Sequence, residues 1–389
     1  MRPGDIDERD GLLNGPARRR GAGINPGNRF EKVRLHVLGD ERERQRLERL
    51  AEDAGNRGGA APLVSDTSAD TPPANIPIEL IADHARTIIN RVAPTSDVPF
   101  DWTVNPYRGC EHGCIYCFAR PYHEYLGYSC GLDFETKIVV KHDAADLLRR
   151  ELARPGWRGE PVVMSATTDI YQPVEHKLRL ARRCLEVMAD CGQPVSTMTK
   201  SALVLRDVDL WQKLGALNAG RVTVTLVTLD DALAKALEPR AASPVRRLHV
   251  LRELVKANVP VSVNIAPVIP GLTDAELPAI LKAVADAGSP RAAWALLRLP
   301  YQVKDLFLDW LQRCVHPSRA ARVESLVRQS RGGKLYDAAQ RRRPRGPVVE
   351  QLKQTFDVFC RKYGLNRDVR PLSTAHFRRP DLAGQMHLF

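Results

Sequence analysis

Between residues 138 and 299, short β-branched and apolar runs alternate with stretches whose apolar residues recur at helical spacing. Residues 138–141 form the first run, and Asp143 then stands where a helix cap would, ahead of Leu147, Leu148 and Leu152 on one face. The run 162–166 leads through TTDIYQPVE into a stripe of Leu178, Ala181, Cys184, Leu185 and Met188 that stops at Gly192. Residues 195–199 predict a strand, and the helix around Leu210 stops at Gly215. Residues 222–229 predict another strand, with Asp230 placed to cap the next helix. Ser243-Pro244 opens a helix with Leu248, Leu251 and Leu254 inward, ended at Asn258. After the apolar run 259–268, Thr273 and Glu276 have capping-box spacing for a helix carrying Leu277, Ile280, Leu281 and Val284. Gly288 stops that helix, and residues 293–299 close the series.

Six or seven strands, each followed by a helix with a defined stop, imply a parallel sheet with βαβ crossovers. Runs such as VTVTLVTL read as strands buried on both faces. A dinucleotide-binding sheet would carry G-x-G-x-x-G after its first strand, and no such motif is present. The fold class is therefore α/β, a partial or full (β/α) barrel, with its chemistry at the C-terminal ends of the strands.

The flanks read differently. Residues 1–75 look disordered or linker-like, with a basic cluster at Arg18, Arg19 and Arg20. They also hold the Glu/Arg run ERERQRLERLAE at 41–52 and a Gly/Pro/Ser-rich stretch after it. The barrel core spans 76–300, led in by a short amphipathic segment at 76–92. A helical extension covers 301–365 and a flexible tail 366–389.

Composition narrows the setting. Hydrophobic residues make up 43% of 389, enough for a large core, yet no apolar run is long enough to span a bilayer. The start, MRPGDIDERD, lacks a signal-peptide pattern, so a cytoplasmic protein is expected, with its 8 cysteines as ligands or buried thiols. The formal net charge of +12 favours an anionic partner, most often nucleic acid.

The chemistry concentrates in NPYRGCEHGCIYCFARPYHEYLG, residues 105–127, where Cys110, Cys114 and Cys117 fall at C-x3-C-x2-C spacing. Gly109 and Gly113 supply the permissive dihedrals for wrapping three thiolates around one centre. A four-iron cubane held by three cysteines keeps one iron open to a ligand that is not protein. The alternative is a structural zinc site, which would take its fourth ligand from Cys130, His112 or His123. The chain has no second C-x2-C knuckle to favour it.

This stretch, with Tyr116 before the last cysteine, resembles the radical SAM signature. TTDIYQPVE, TKS and APVIPGLTD are similar to segments of the branch that includes spore photoproduct lyase and DNA repair photolyase-like proteins. The resemblance covers roughly residues 99–299. It implies a [4Fe–4S] cluster on Cys110, Cys114 and Cys117 and S-adenosylmethionine on the open iron. It further implies reductive cleavage to a 5′-deoxyadenosyl radical, hydrogen abstraction from a substrate, and an electron donor such as a flavodoxin or ferredoxin. Expected contacts to S-adenosylmethionine come from Tyr116, Thr168, Asp169, Lys200, Ser201, Arg240 and the backbone near Gly271. No cysteine aligns with the late hydrogen donor of the lyase branch, and Cys130 is the nearby candidate. The same radical could instead modify RNA, a protein or a small molecule, and a zinc-dependent nucleic-acid-binding protein is the non-catalytic alternative.

Two further features point to nucleic acid. Arg341, Arg342, Arg343 and Arg345 form a basic loop suited to phosphates. The terminal Gln385-Met386-His387-Leu388-Phe389 resembles the peptide by which bacterial repair and replication proteins hold the sliding clamp. Met386, Leu388 and Phe389 would be its anchors and Gln385 would fix its register.

Overall fold

A computed structural model of the chain describes residues 20–30, 76–93, 98–336, 344–368 and 370–381. The ten strands are β1 (Glu79–Ala82), β2 (Ile89–Arg91), β3 (Trp102–Val104), β4 (Tyr107–Arg108), β5 (Lys137–Val140), β6 (Val162–Met164), β7 (Val195–Thr199), β8 (Gly220–Thr225), β9 (Val261–Val268) and β10 (Ala292–Leu296). Seven form one sheet in the order β10-β9-β8-β7-β6-β3-β2. All neighbours run parallel except the edge pair β2 and β3. Parallel strands deliver every following loop to one end of the sheet, so the loops after β3, β6, β7 and β8 meet there. That gathering positions the site.

Helices Ala144–Leu152, Leu180–Cys191, Val208–Ala216, Pro244–Lys256 and Leu277–Asp286 cover one face. Their leucines close on Val222, Val224, Val261 and Val263, all buried. The expected burial on both faces is found in β6 and over residues 224–228, but not through most of β7, β8 and β9. There the positions alternate, and the opposite face carries half-buried Met198, Thr223, Ser262 and Asn264. The Thr223 and Ser262 hydroxyls bond across it at 2.7 Å. A sheet lined with hydroxyls and an amide on one side is built to face something polar.

Several local assignments depart from the sequence pattern. Residues 138–141 do not join the main series, because β5 pairs with β1 and β4 in a separate three-stranded sheet. The amphipathic segment 76–92 holds two strands, β1 and β2. The caps at Asp230 and Ser243 form, their side chains accepting backbone N–H groups of the first turn. Asp143 makes no such bond. The capping box at Thr273 and Glu276 does not form either. Glu276 accepts instead from Thr228 Oγ1 at 2.6 Å and Leu229 N at 2.7 Å, bracing the loop after β8.

Both flanks also dock. Residues 20–30, within the stretch of linker composition, pack against the cysteine loop. Residues 370–381 run along the opposite end of the sheet, where Arg378 N donates to Cys191 O at 2.8 Å and Ser373 N to Asn218 O at 2.8 Å. The predicted helix at 41–52 lies outside the described residues. Helices Val303–Cys314 and Pro317–Gln329 form a second core with Cys114, Ile115, Tyr116 and Leu132. Its buried Phe307 and Trp310 stack at 5.7 Å, and each large side chain so buried contributes about 1.5–3 kcal/mol. Among the described residues no helix is long and apolar enough to cross a membrane.

Candidate metal centre

The loop after β4 is shaped by two glycines of positive φ, Gly109 at +82° and Gly113 at +68°. A Cβ on Gly109 would lie 2.8 Å from the Lys137 carbonyl oxygen, so no larger residue fits this turn. Cys110 N donates to Phe134 O at 2.8 Å, Ile115 N to Leu237 O at 3.0 Å, and Cys117 N to Cys114 O at 3.2 Å. These bonds pin the loop between the short helices Leu132–Thr136 and Asp231–Leu237. Cys110 and Cys114 are buried, Cys117 half-buried.

Burial pushes the Cys114 thiol up to about 12 and Cys110 well above its ordinary value, and the neighbouring thiols add to the Cys110 shift. Lys200 acts against the rise at Cys114. Thiols this desolvated are poor anions alone and become ligands when a cation compensates them. Among the described residues, no three His, Cys, Asp or Glu side chains are close enough to ligate one ion. Of the candidate fourth zinc ligands, His112 and Cys130 are engaged elsewhere, while both ring nitrogens of His123 are buried without a hydrogen-bond partner. His112 Nδ1 pairs with Asp169 at 3.3 Å, His123 packs between Tyr128 and Phe134, and Cys130 Sγ donates to Gln302 Oε1 at 3.7 Å. A polynuclear group on three thiols fits this donor set better than a mononuclear one.

Charged groups surround the loop. Glu238 is buried and accepts from the Tyr116 hydroxyl and the Arg247 guanidinium. Burial would raise its carboxyl, but Arg247 and Lys200 hold it below the usual range. Burial would likewise lower the Lys200 ammonium, yet the Cys114 and Glu238 charges raise it, and its Nζ lies 6.0 Å from the Tyr116 ring. Asp169 accepts from Thr199 Oγ1 at 2.9 Å and Lys200 N at 2.8 Å. Against the upward pull of burial, His112 holds its carboxyl low. Within the motif, Glu111 accepts from Arg240 at 2.7 Å and Val174 N at 2.6 Å.

Residues 20–30 act as a strap over this loop. Gly21 N and Ala22 N donate to the Glu135 carboxylate at 3.0 and 2.9 Å, and Arg120 pairs with it at 2.5 Å. Arg20 donates to Glu135 O at 3.1 Å and Ile76 O at 2.8 Å, and Asn25 accepts from Leu132 N at 2.9 Å. Asn28 Nδ2 donates to Glu124 O at 2.7 Å, and Gln302 Nε2 to Gly27 O at 2.8 Å.

The structure thus gathers Tyr116, Asp169, Lys200 and Arg240 around the three cysteines. Thr168 is buried nearby and donates to Tyr107 O at 3.2 Å. Ser201 caps the following turn, accepting from Leu203 N at 3.2 Å. Gly271, at φ +77°, faces Leu326 of the Pro317–Gln329 helix. Cys130 is fully buried against the strap's anchor Gln302, away from any open face. Arg341, Arg342 and Arg343 lie outside the described residues, as do Gln385, Met386, Leu388 and Phe389. Arg345 is exposed. The sequence pattern missed Glu135, Arg120 and Arg247, whose burial as charges has no periodic signature. Glu111 was visible only as a carboxylate inside the motif.

The Radical SAM superfamily model matches residues 104–284, from the end of β3 into the helix after β9. An uncharacterised protein of Mycobacterium tuberculosis is 35% identical over 293 residues, covering 74% of this chain and 81% of the relative. One of Methanocaldococcus jannaschii is 31% identical over 202 residues, covering 52% of this chain and 72% of the relative. Spore photoproduct lyase complexed with dinucleoside spore photoproduct aligns with a TM-score of 0.51 at 13% identity, covering 74% of this chain and 80% of the lyase. A lyase variant with bound AdoMet and the same dinucleoside aligns with a TM-score of 0.52 at 14% identity and the same coverage. At these identities the likeness to the lyase is one of fold.

Proposed function

The chain belongs to the radical SAM superfamily, an enzyme whose cofactors are a [4Fe–4S] cluster and S-adenosylmethionine, and we propose that it acts on nucleic acid in a repair-type, lyase-like reaction. The observation that carries the reading is the set of three cysteines, two of them buried, on a glycine-shaped loop at the C-terminal end of a parallel sheet. Cys110, Cys114 and Cys117 would hold the cluster. When bound, the cofactor pair supplies one-electron cleavage of a sulfonium and hydrogen abstraction from substrate. The protein's part is binding, orientation and exclusion of water.

Lys200 and Arg247 place positive charge beside Cys114, which favours the thiolate it must become. Glu238 anchors Tyr116 and Arg247 in one geometry, so the ring before the last ligand is fixed before any ligand arrives. Asp169, kept ionised by His112, presents a carboxylate suited to the amino group of S-adenosylmethionine. The hydroxyls of Thr168 and Ser201 and the backbone near Gly271 add polar contacts at the same end of the sheet.

The nucleic-acid substrate is supported by the net charge of +12 and by the shared fold with a lyase complexed with dinucleoside spore photoproduct. Arg345 with its neighbouring arginines, and the terminal clamp-like peptide, extend the same reading to phosphate contacts and a sliding clamp. The site lies in the cytoplasm, where a flavodoxin or ferredoxin supplies electrons.

Anaerobic reconstitution with iron and sulfide tests the reading. Wild-type protein is expected to turn brown, and with S-adenosylmethionine and reductant to release 5′-deoxyadenosine faster when damaged or intact DNA is added. Cys114→Ala is expected to lose the chromophore and the product. Iron uptake by the wild type without any acceleration by DNA or RNA rejects the substrate assignment. Tight zinc with no iron uptake rejects the whole reading.

A further inference from the structure

Every Phe, Tyr or Trp ring left exposed among the described residues comes from three segments next to the cysteine loop: Phe30, Phe118, Tyr122, Tyr125 and Tyr301. Tyr125 is 66% exposed, Tyr122 55% and Phe30 52%, whereas aromatic side chains ordinarily bury most of their surface. Phe118 directly follows Cys117, and Tyr122 and Tyr125 stand on the short helix Arg120–Leu126 that comes next.

The rings form a connected surface. Phe30 and Tyr125 lie 5.0 Å apart at 36°, Tyr122 and Tyr125 6.4 Å apart at 35°. Arg29 holds them in place. Its guanidinium sits 3.9 Å from the Tyr301 ring, 4.7 Å from Phe30 and 5.7 Å from Tyr125, and pairs with the buried Glu124 at 2.8 Å. A second guanidinium, Arg298, lies 5.9 Å from Phe118. The strap that pins the cysteine loop thus also carries Arg29 and Phe30 into this patch.

We infer that this aromatic and arginine platform, beside the cysteine loop, binds unpaired bases of a nucleic acid by stacking. The inference rests on the nucleic-acid reading above and narrows it to single-stranded or extruded bases. Exposed π-faces interleaved with guanidinium planes match the faces of bases, which a duplex hides and a single strand presents. The net charge of +12 complements the phosphates that accompany them. The rings stand at fixed tilts, so little ordering is required on binding.

The test uses reconstituted holoprotein under anaerobic conditions and fluorescence anisotropy with a 20-nucleotide oligothymidylate and a duplex of the same length. Wild type is expected to prefer the single strand. Tyr122→Ala/Tyr125→Ala is expected to bind it at least about tenfold more weakly, with the salt dependence and duplex affinity little changed. Tyr122→Phe/Tyr125→Phe is expected to retain binding, because stacking needs the ring and not the hydroxyl. Both rings are exposed, and matching far-UV circular dichroism and iron content will confirm intact folds.

Single-strand binding by the wild type that the alanine variant keeps overturns the platform and leaves the nucleic-acid reading standing. No binding of either nucleic acid overturns both. A dimer in the wild type that dissociates in the alanine variant, with oligothymidylate binding unchanged, assigns the rings to a second copy of the chain and overturns the inference.

Discussion

A single methyl group on Gly21 is expected to unseat the strap from the cysteine loop. A Cβ at Gly21 would lie 1.8 Å from the Gly113 carbonyl oxygen and 3.0 Å from its carbonyl carbon. Both partners are backbone, and Gly113 sits between two of the three cysteines at a φ of +68°. Restoring even a tight contact requires a separation of about 1.2 Å, more than close-packed neighbours absorb without rearrangement. Either the cysteine loop moves or the strap lifts. At this point the strap is held by Gly21 N and Ala22 N on the Glu135 carboxylate at 3.0 and 2.9 Å, and these are the bonds that its lifting would break. Hydrogen bonds to a charged acceptor contribute about 1.5–3 kcal/mol each. Losing both costs the strap at least about 3 kcal/mol, or roughly a hundredfold in its opening equilibrium. Hydrogen exchange read by mass spectrometry on the peptide containing Ala22 is expected to show that loss of protection in Gly21→Ala. Gly156→Ala, where a Cβ meets nothing within 4 Å, is the control. Unchanged protection at Ala22 in the Gly21 variant would refute the reasoning, because the contact that defines the strap would then not exist in solution.

Glu135→Gln is expected to destabilise the protein by about 3–5 kcal/mol, since it leaves the fully buried Arg120 guanidinium without its charge partner; equal chemical-denaturation midpoints would contradict this. Glu238→Gln tests the pH dependence expected of a carboxyl held below its usual range. The stability Glu238 contributes is fully present above the ordinary carboxylate pKa of about 4.3 and is lost as pH falls through the lowered folded value. The variant is expected to be less stable than wild type at pH 7, with a gap that narrows toward pH 3; a gap constant across that range would show that the shift does not exist.

Much of this was legible in the chain. The βα alternation from residue 162 to 296 was readable because helices on one face impose a period near 3.6, and glycine or asparagine stops each of them. The cysteine loop was readable from spacing, and the positions of Asp169 and Lys200 from their place after strands, whereas Arg240 follows the helix Asp231–Leu237. What did not show were interactions whose two halves lie far apart in sequence. Glu276 has the spacing of a capping box, yet its carboxylate satisfies Thr228 and Leu229 in a loop from another βα unit. A tertiary partner won over the local one. Residues 138–141 have the composition of a core strand but pair with β1 and β4, and composition does not choose between sheets. Residues 20–30 carry Gly, Asn and Pro because their backbone runs close to another backbone, which is also what a linker looks like.

The two flanking segments dock at opposite ends of the same sheet, and that separation gives them different physical roles. The parallel arrangement sends the loops after β3, β6, β7 and β8 to one end and the loops that precede β6, β7 and β8 to the other. Residues 20–30 bind at the first end, where Gly21 touches the turn between Cys110 and Cys114 and Arg29 sets the exposed rings. Residues 370–381 bind at the second, with Phe377 against Gly159 and the His376 carbonyl against Gly192. Those contacts close the hydrophobic layer beneath the sheet, away from Cys110, Cys114 and Cys117. A displacement of the strap is therefore transmitted to the cysteine loop directly, through the Gly21–Gly113 contact and the Glu135–Arg120 pair, whereas a displacement of the tail must pass through the whole length of the strands. Parallel strands paired on both sides are stiff along their axes, so the second route carries little. The amino-terminal strap belongs to the cysteine loop, and the carboxy-terminal segment to the stability of the sheet that supports it.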